Sequence, residues 1–224
     1  RAARHNVSSI AARASGCDGG HVVTGGTSGL GLLTGRWLAQ RGAQRLVLAS
    51  RSGVLAKAAD AEWEALQASN ATPRLERCDT GDTTHVQKLV ARVPSLRGVW
   101  HAAGVLADSV LPAQTAASLA RVAAPKAHGA WALQLASATA ALRACALFSS
   151  VAALLGGAGQ ANYSAANACL DALGTCRRAN AQAGVSVQWG AWAEVGMAAR
   201  GAASERMAAM EAASGFGRIG LAQG

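Results

Sequence analysis

His21-Val22-Val23-Thr24-Gly25-Gly26-Thr27-Ser28-Gly29-Leu30-Gly31 is the stretch that decides the fold. Its first four residues read as a short apolar strand. Glycines follow at once, and then Leu32, Leu33, Trp37 and Leu38 recur with helical spacing, so the pattern is strand, glycine turn, helix. Glycines at this junction let the backbone turn tightly and approach a pyrophosphate, whose charge is met by free N–H groups at the helix N-terminus.

Outward from this unit the alternation continues. Arg45 to Ser50 reads as a second strand, Leu55 to Ser69 as a helix, and Arg74 to Arg77 as a short strand. Leu96 to Gly104 forms a fourth strand and its turn, followed by a long helical region. Cys145 to Phe148, ending in Ser149 and Ser150, leads through a glycine-rich loop to a helix that opens near Gly159 or Gln160 and runs to about Asn180. Val185 to Trp189 makes a sixth strand. Beyond it, Met197 to Ala213 is rich in alanine and methionine and suits a mobile helical lid over a substrate. Residues 215–221 look like the approach to another strand or helix, as if the chain were cut from something larger; residues 1–19 read as a linker ahead of a single unit, 20–224.

The 224 residues fit one α/β domain with a full core. No apolar run is long enough to span a membrane and the N-terminal sequence lacks the apolar core of a secretion signal, so a soluble, cytoplasmic chain is expected. Five cysteines, Cys17, Cys78, Cys145, Cys169 and Cys176, have no metal-ligand spacing, which argues against structural zinc and disulfides. The net charge of +9 is spread over scattered arginines with no aromatic interleaving, which argues against nucleic acid. A phosphate-rich cofactor, an acidic partner or a bias of arginine over lysine accounts for it equally.

Several side chains carry candidate chemistry. Tyr163 is the only tyrosine, and Asn167 lies four residues later, so on a helix both project from one face. Ser150, at a strand end, can reach the same place. A phenol that gives a proton to a carbonyl oxygen, beside a hydroxyl that holds that oxygen, is one reading; a buried tyrosine among ordinary cap and loop residues is the other. Ser50 and Arg51 stand at the second strand end, where an acidic residue would bind a ribose diol. A guanidinium there suits a 2′-phosphate and favours NADPH over NADH, unless Arg51 is one more solvated arginine. Asp79 either accepts from an adenine amine or caps the next helix. Ala102, Ala103 and Gly104 are small enough for a ribose and nicotinamide to pass close to the backbone. His101, between apolar neighbours, reads as a packed histidine rather than a catalytic base. Lys126 is one of three lysines among eighteen arginines and sits in an apolar helical context. Near Tyr163 its ammonium would favour the phenolate and lower the phenol's pKa; a snorkelling surface lysine is the alternative.

Taken together, residues 24–31, Ser50-Arg51-Ser52-Gly53, His101-Ala102-Ala103-Gly104-Val105-Leu106, Phe148-Ser149-Ser150, Asn162-Tyr163-Ser164-Ala165-Ala166-Asn167 and Trp189-Gly190-Ala191-Trp192 resemble the ketoreductase domain of modular polyketide synthases. The glycine spacing T-G-x-x-x-G-x-G points to short-chain reductases. Where ordinary short-chain dehydrogenases carry Tyr-x-x-x-Lys, this chain has Tyr-x-x-x-Asn with a lysine upstream, as the synthase ketoreductases do. The resemblance implies a Rossmann-type doubly wound parallel sheet with helices on both faces, with 20–224 as the catalytic domain and 1–19 as a linker or the remnant of a preceding structural subdomain. It implies Ser150, Tyr163, Lys126 and Asn167 as the catalytic set, with Asn167 helping to hold a water relay. It also implies that Thr24, Gly25, Thr27, Gly29, Leu30, Gly31, Ser50, Arg51, Asp79, Ala102, Ala103 and Gly104 hold NADPH.

The implied reaction reduces a β-ketoacyl thioester on an acyl carrier protein, beside other synthase domains, with no nucleic acid, membrane or metal. A ketoreductase of a multidomain fatty acid synthase, or an inactive cofactor-binding structural domain, is the alternative. In the resembling family, Leu-x-Asp after the His-Ala-Ala-Gly turn marks a D-configured alcohol, and tryptophan eight residues before the tyrosine marks the L-alcohol. Leu106 and Asp108 are present, though Ala107 replaces the usual middle aspartate, and position 155 is Leu155. A D product is therefore expected, unless Asp108 merely caps the following helix. Ala165, two after the tyrosine, replaces the proline linked to reduction of an epimerised α-methyl, which suggests a substrate whose α-carbon is not first inverted.

Overall fold

The structure, a computed structural model, describes residues 19–57, 59–195 and 217–221. Six strands alternate with helices: β1 (Gly20–Thr24), α1 (Gly29–Gln40), β2 (Arg45–Ser50), α2 (Asp60–Gln67), β3 (Thr72–Arg77), α3 (Thr83–Ala91), β4 (Leu96–His101), α4 (Ala116–Ala123), α5 (Gly129–Ala136), β5 (Ala144–Ser150), a single turn α6 (Ala152–Leu155), α7 (Ala161–Ala179) and β6 (Val185–Trp189). The strands form one parallel sheet in the order β3-β2-β1-β4-β5-β6. The order reverses between β1 and β4, which opens a crevice beyond their C-terminal ends, the place where such sheets bind ligands.

Successive side chains of a strand point to opposite faces, and both faces here are apolar because helices cover both. On one face Val22, Val47, Val99, Cys145 and Leu147 pack against Val86 and Leu89 of α3, Ala130 and Leu133 of α5 and Leu170 of α7. On the other, Val23, Leu46, Leu48, Trp100, Ala146 and Phe148 meet Leu32 and Leu38 of α1 and Leu66 of α2. Burial of each such leucine stabilises the fold by roughly 2 kcal/mol. This is the Rossmann-like, doubly wound fold the sequence led us to expect.

Local departures from the sequence reading have physical causes. The helix expected from Leu55 starts at Asp60, because Ala56 N–H is held by the Thr27 carbonyl of the glycine turn at 3.1 Å and the chain cannot coil until it leaves that contact. The capping role considered for Asp79 belongs to Asp82, whose Oδ1 accepts from the N–H groups of Thr84 at 2.8 Å and His85 at 3.2 Å. Nor does Asp108 cap a helix: α4 is opened by a reciprocal capping box between Thr115 and Ser118. The long helical region before β5 is broken by a five-residue π-turn, Ala124–His128, between α4 and α5. Pro125 lies within it and has no N–H to give to an α-helical bond, which relaxes the turn. The glycine-rich loop after β5 contains the single turn α6, and α7 begins at Ala161. After β6, Trp192 and Ile219 form an isolated parallel bridge, so the expected strand approach is present as one bridge. The expected lid at 197–213 and the linker at 1–18 lie outside the described residues. Among the described helices none is long and apolar enough to cross a membrane.

Candidate active site

The glycine turn is shaped by close approach. Gly25 has φ of +67°, and a Cβ on it would stand 2.9 Å from the Ala102 carbonyl, so only glycine lets the β1 turn lie against the β4 turn. A Cβ on Gly31 would meet the Gly25 carbonyl at 2.2 Å, so this glycine lets α1 settle onto the turn that precedes it. Beside the turn lies a cavity of about 400 Å³ lined by Gly25, Thr27, Ser28, Ser50, Arg51, Ala103, Gly104 and Leu106 among others. Arg51 is exposed at its rim. Ser50 Oγ accepts from Gly53 N–H at 3.1 Å, which closes the turn that presents the guanidinium.

Not every expected cofactor residue faces this space. Thr24 does not line the cavity; it is fully buried and its hydroxyl lies 2.7 Å from His101 Nδ1. Gly29, Leu30, Gly31 and Ala102 shape the turn and helix start and are not part of the lining. Asp79 also stands outside the lining, with Oδ1 accepting from Gly81 N–H at 3.0 Å, whereas its neighbours Cys78 and Thr80 contribute to it. Cys78, Thr80, Val105 and Pro125 are wall residues that sequence reasoning missed. Small, uncharged side chains at strand ends carry no distinguishing pattern.

Lys126 is 3% exposed, so it is not a snorkelling surface lysine. Its Nζ donates to the Phe148 carbonyl at 2.7 Å, lies 5.4 Å from the centre of the Tyr163 ring, and its stem reaches the cavity wall at Gly104, where an added Cβ would be 3.0 Å from Lys126 Cε. Burial pulls its pKa down to about 7, against an opposing pull from the Asp171 carboxylate. Tyr163 is also buried, at the start of α7. Asn162 Oδ1 accepts the Tyr163 N–H at 2.7 Å while its Nδ2 donates to the Ala107 carbonyl at 2.8 Å, which ties the helix start to the loop after β4.

One electrostatic expectation is overturned. A lysine beside the phenol is expected to hold it below its ordinary value, but burial raises it, and the polar side chains of Asn167 and Ser150 offset this in part. The physical reason is that removing a phenolate from water costs more here than these neighbours return. Asn167 is fully buried, and its Nδ2 donates to the Tyr163 carbonyl at 2.8 Å. Its Oδ1 is buried without a hydrogen-bond partner among the described residues. Ser150, at the end of β5, accepts from Ala152 N–H at 3.2 Å and keeps its own proton to donate. Asp108 receives Gln160 Nε2 at 3.4 Å, and Leu155 is exposed on α6. Leu106 packs on the buried cluster of Val122, Ala152, Tyr163 and Ala166.

Residues 19–194 match the family model described as the KR domain. The chain belongs to the KR domain family. This KR domain is 49% identical over 189 residues to polyketide synthase GfsB of Streptomyces halstedii, a match covering 83% of the chain and 3% of that protein. Among solved structures, it resembles an A-type ketoreductase from a modular polyketide synthase (TM-score 0.80, 38% identity, 85% of this chain and 41% of that one). It also resembles the ketoreductase from the first module of phoslactomycin biosynthesis in Streptomyces sp. HK803 (TM-score 0.82, 36% identity, 92% and 47%). The KR domain thus spans less than half the length of these solved chains and a small part of the synthase. KR domains of polyketide synthases are oxidoreductases that bind a nicotinamide cofactor, and the cavity beside the glycine turn fits one: Gly25 and Gly104 line it without side chains, and its rim carries the Arg51 cation.

Proposed function

We propose that this KR domain reduces the β-carbonyl of an acyl thioester, carried on an acyl carrier protein, to a β-hydroxyacyl thioester during cytoplasmic polyketide synthesis. The acyl carrier protein and the other domains of the synthase are its partners. The observation that carries this reading is the buried Lys126, which touches the cavity wall at Gly104 on one side and faces Tyr163 on the other. A buried cation bridging a cofactor-sized groove and a lone buried phenol suits carbonyl reduction better than a purely structural core.

NADPH supplies the hydride when bound. The backbone of Gly25 to Gly31 would receive its pyrophosphate, Arg51 the 2′-phosphate, and Lys126 the ribose hydroxyls. Tyr163 gives its proton to the oxygen as negative charge develops there, and Ser150 donates a hydrogen bond to the same oxygen. Burial keeps the phenol protonated until that moment. The unpartnered Oδ1 of Asn167 can accept from a water that returns a proton toward Tyr163. Leu106, Asp108 and the absence of tryptophan at Leu155 support the D-configured alcohol.

Oxidation of NADPH with a β-keto thioester as substrate tests this directly. Wild type consumes cofactor only when the thioester is present, whereas an inactive structural domain binds NADPH and consumes none. Tyr163→Phe keeps NADPH affinity within about twofold and loses at least about 100-fold in kcat, some 2.7 kcal/mol of barrier. Activity within about tenfold of wild type would mean that another group is the acid.

A further inference from the structure

The expected reading of His101 as a packed histidine leaves its two hydrogen bonds without a purpose. His101 ends β4, is fully buried, and spans two segments that the site depends on. Its Nε2 lies 2.9 Å from the Lys126 carbonyl, and its Nδ1 lies 2.7 Å from Thr24 Oγ1. A carbonyl can only accept, so Nε2 carries the hydrogen. Nδ1 is then the acceptor, and the Thr24 hydroxyl donates to it. One neutral ring is saturated at both nitrogens, by the last residue of β1 on one side and the π-turn on the other.

That turn is where the helix departs from regular α geometry. Pro125 removes a backbone donor at the residue before Lys126; the Gly129 N–H closes the turn onto the Ala124 and Lys126 carbonyls, and two side chains brace it further, Thr80 Oγ1 donating to the Pro125 carbonyl at 3.1 Å and His101 to the Lys126 carbonyl at 2.9 Å. Lys126 Nζ must at the same time reach the Phe148 carbonyl. Its backbone and its ammonium are thus both anchored to the parallel sheet, at β4 and β5. We infer that His101 is a positioning residue for Lys126, fixing the π-turn so that the ammonium stands between the cavity wall and Tyr163, and linking that turn to the start of the glycine loop. The inference rests on the proposed role of Lys126 in the reaction.

The decisive experiment is a double-mutant cycle on kcat with NADPH and a β-keto thioester, in the full native polypeptide. His101→Leu keeps the volume and removes both hydrogen bonds. It lowers kcat about tenfold or more when Lys126 is present and less than about twofold in the Lys126→Ala background, because a residue that acts through Lys126 has nothing left to position. His101→Gln, which retains an N–H toward the Lys126 carbonyl, recovers most of the loss. A readout free of activity accompanies it: the Lys126 Cε NMR resonance, shifted by the Tyr163 ring, moves in His101→Leu without cofactor and returns in His101→Gln. Equal losses of kcat in both backgrounds, or a resonance unmoved by His101→Leu, overturn the inference. Lys126→Ala with near-wild-type kcat overturns the reading of the site instead. Should His101→Leu not fold, His101→Asn, whose shorter amide cannot reach both partners, is run through the same cycle with the same deciding outcomes.

Discussion

Acid should unfold this KR domain at a pH where most carboxylates are still charged, and two histidines are the reason. His21 accepts from Trp100 Nε1 at 3.3 Å, and His101 bridges Thr24 and Lys126; both are almost wholly buried, and burial lowers each pKa from 6.5 to about 4. The unfolded chain takes up these protons near pH 6.5 while the native protein resists them until about pH 4. The stability each contributes is complete above pH 6.5 and is lost progressively as pH falls toward 4. Between pH 7 and pH 5 the loss is about 2 kcal/mol per histidine, or roughly 4 kcal/mol for the pair. Lys126, with a native value of about 7, adds only a small loss in the same direction, because both states are nearly fully protonated by pH 6. Asp82 is held below its ordinary value chiefly by the His85 backbone N–H, so its contribution is lost only at still lower pH. A total near 4 kcal/mol is a large part of the 5–15 kcal/mol that typically holds a domain together.

Urea unfolding at pH 7, 6 and 5, followed by tryptophan fluorescence, measures this, since Trp100 lies beside His21. The midpoint falls steeply with pH at constant m, and a His21→Gln variant, stable or not in absolute terms, shows about half the pH dependence. An unfolding free energy that changes by less than about 1 kcal/mol between pH 7 and pH 5 would refute the argument, and with it the claim that both rings are neutral in the native state.

Three further outcomes are expected. Arg51→Ala raises the dissociation constant for NADPH at least about tenfold and that for NADH less than about twofold, because a single charge-assisted contact to phosphate contributes on the order of 1.5 kcal/mol or more; fluorescence titration with both cofactors checks it, and equal losses place Arg51 away from the ribose. Gly31→Ala drives a methyl to 2.2 Å from the Gly25 carbonyl and costs roughly 3 kcal/mol, together with cofactor affinity; a variant as stable as wild type in urea would mean that the turn has slack. Chiral chromatography of the alcohol formed from a β-keto thioester with NADPH gives predominantly the D isomer, and Asp108→Ala erodes that preference. Mostly L product sinks the assignment, and full D selectivity in Asp108→Ala shows that Asp108 is not its source.

Much of the architecture could be read from pattern alone, because buried parallel strands are continuous apolar runs bounded by turns. The second and sixth strands have the boundaries read from the sequence. What was not legible depended on backbone groups. Pro125 sits in an alanine-rich helical pattern, and nothing in that pattern says the chain will widen into a π-turn instead of stopping. The partner of Lys126 is the carbonyl of Phe148, an atom every residue has. The resemblance places Thr24 in the phosphate loop, whereas its hydroxyl is taken by a histidine 77 residues away. Leu55 and Ala56 carry helical residue types, but a single hydrogen bond to Thr27 holds the segment against the glycine turn.

The electrostatics of the site reconcile these pieces with a reductive direction. Burial acts on Tyr163 and Lys126 in one sense, favouring the neutral form of each, so it raises the phenol and lowers the ammonium. A phenol depressed toward neutrality would be partly ionised before the carbonyl arrives and would have no proton to give. One held above its ordinary value keeps that proton until an alkoxide, far more basic, develops within reach. The lysine poses the opposite problem, since its charge is useful and burial erodes it. The fold answers with a hydrogen bond to Phe148 and with the Asp171 carboxylate, which is itself fixed by Ser186 Oγ at 2.5 Å and Gln188 Nε2 at 2.8 Å on β6. Asp171 follows Asn167 by one helical turn and Tyr163 by two, so one helix carries the proposed acid, the proposed relay amide and the counter-charge, and β5 and β6 hold that helix in register.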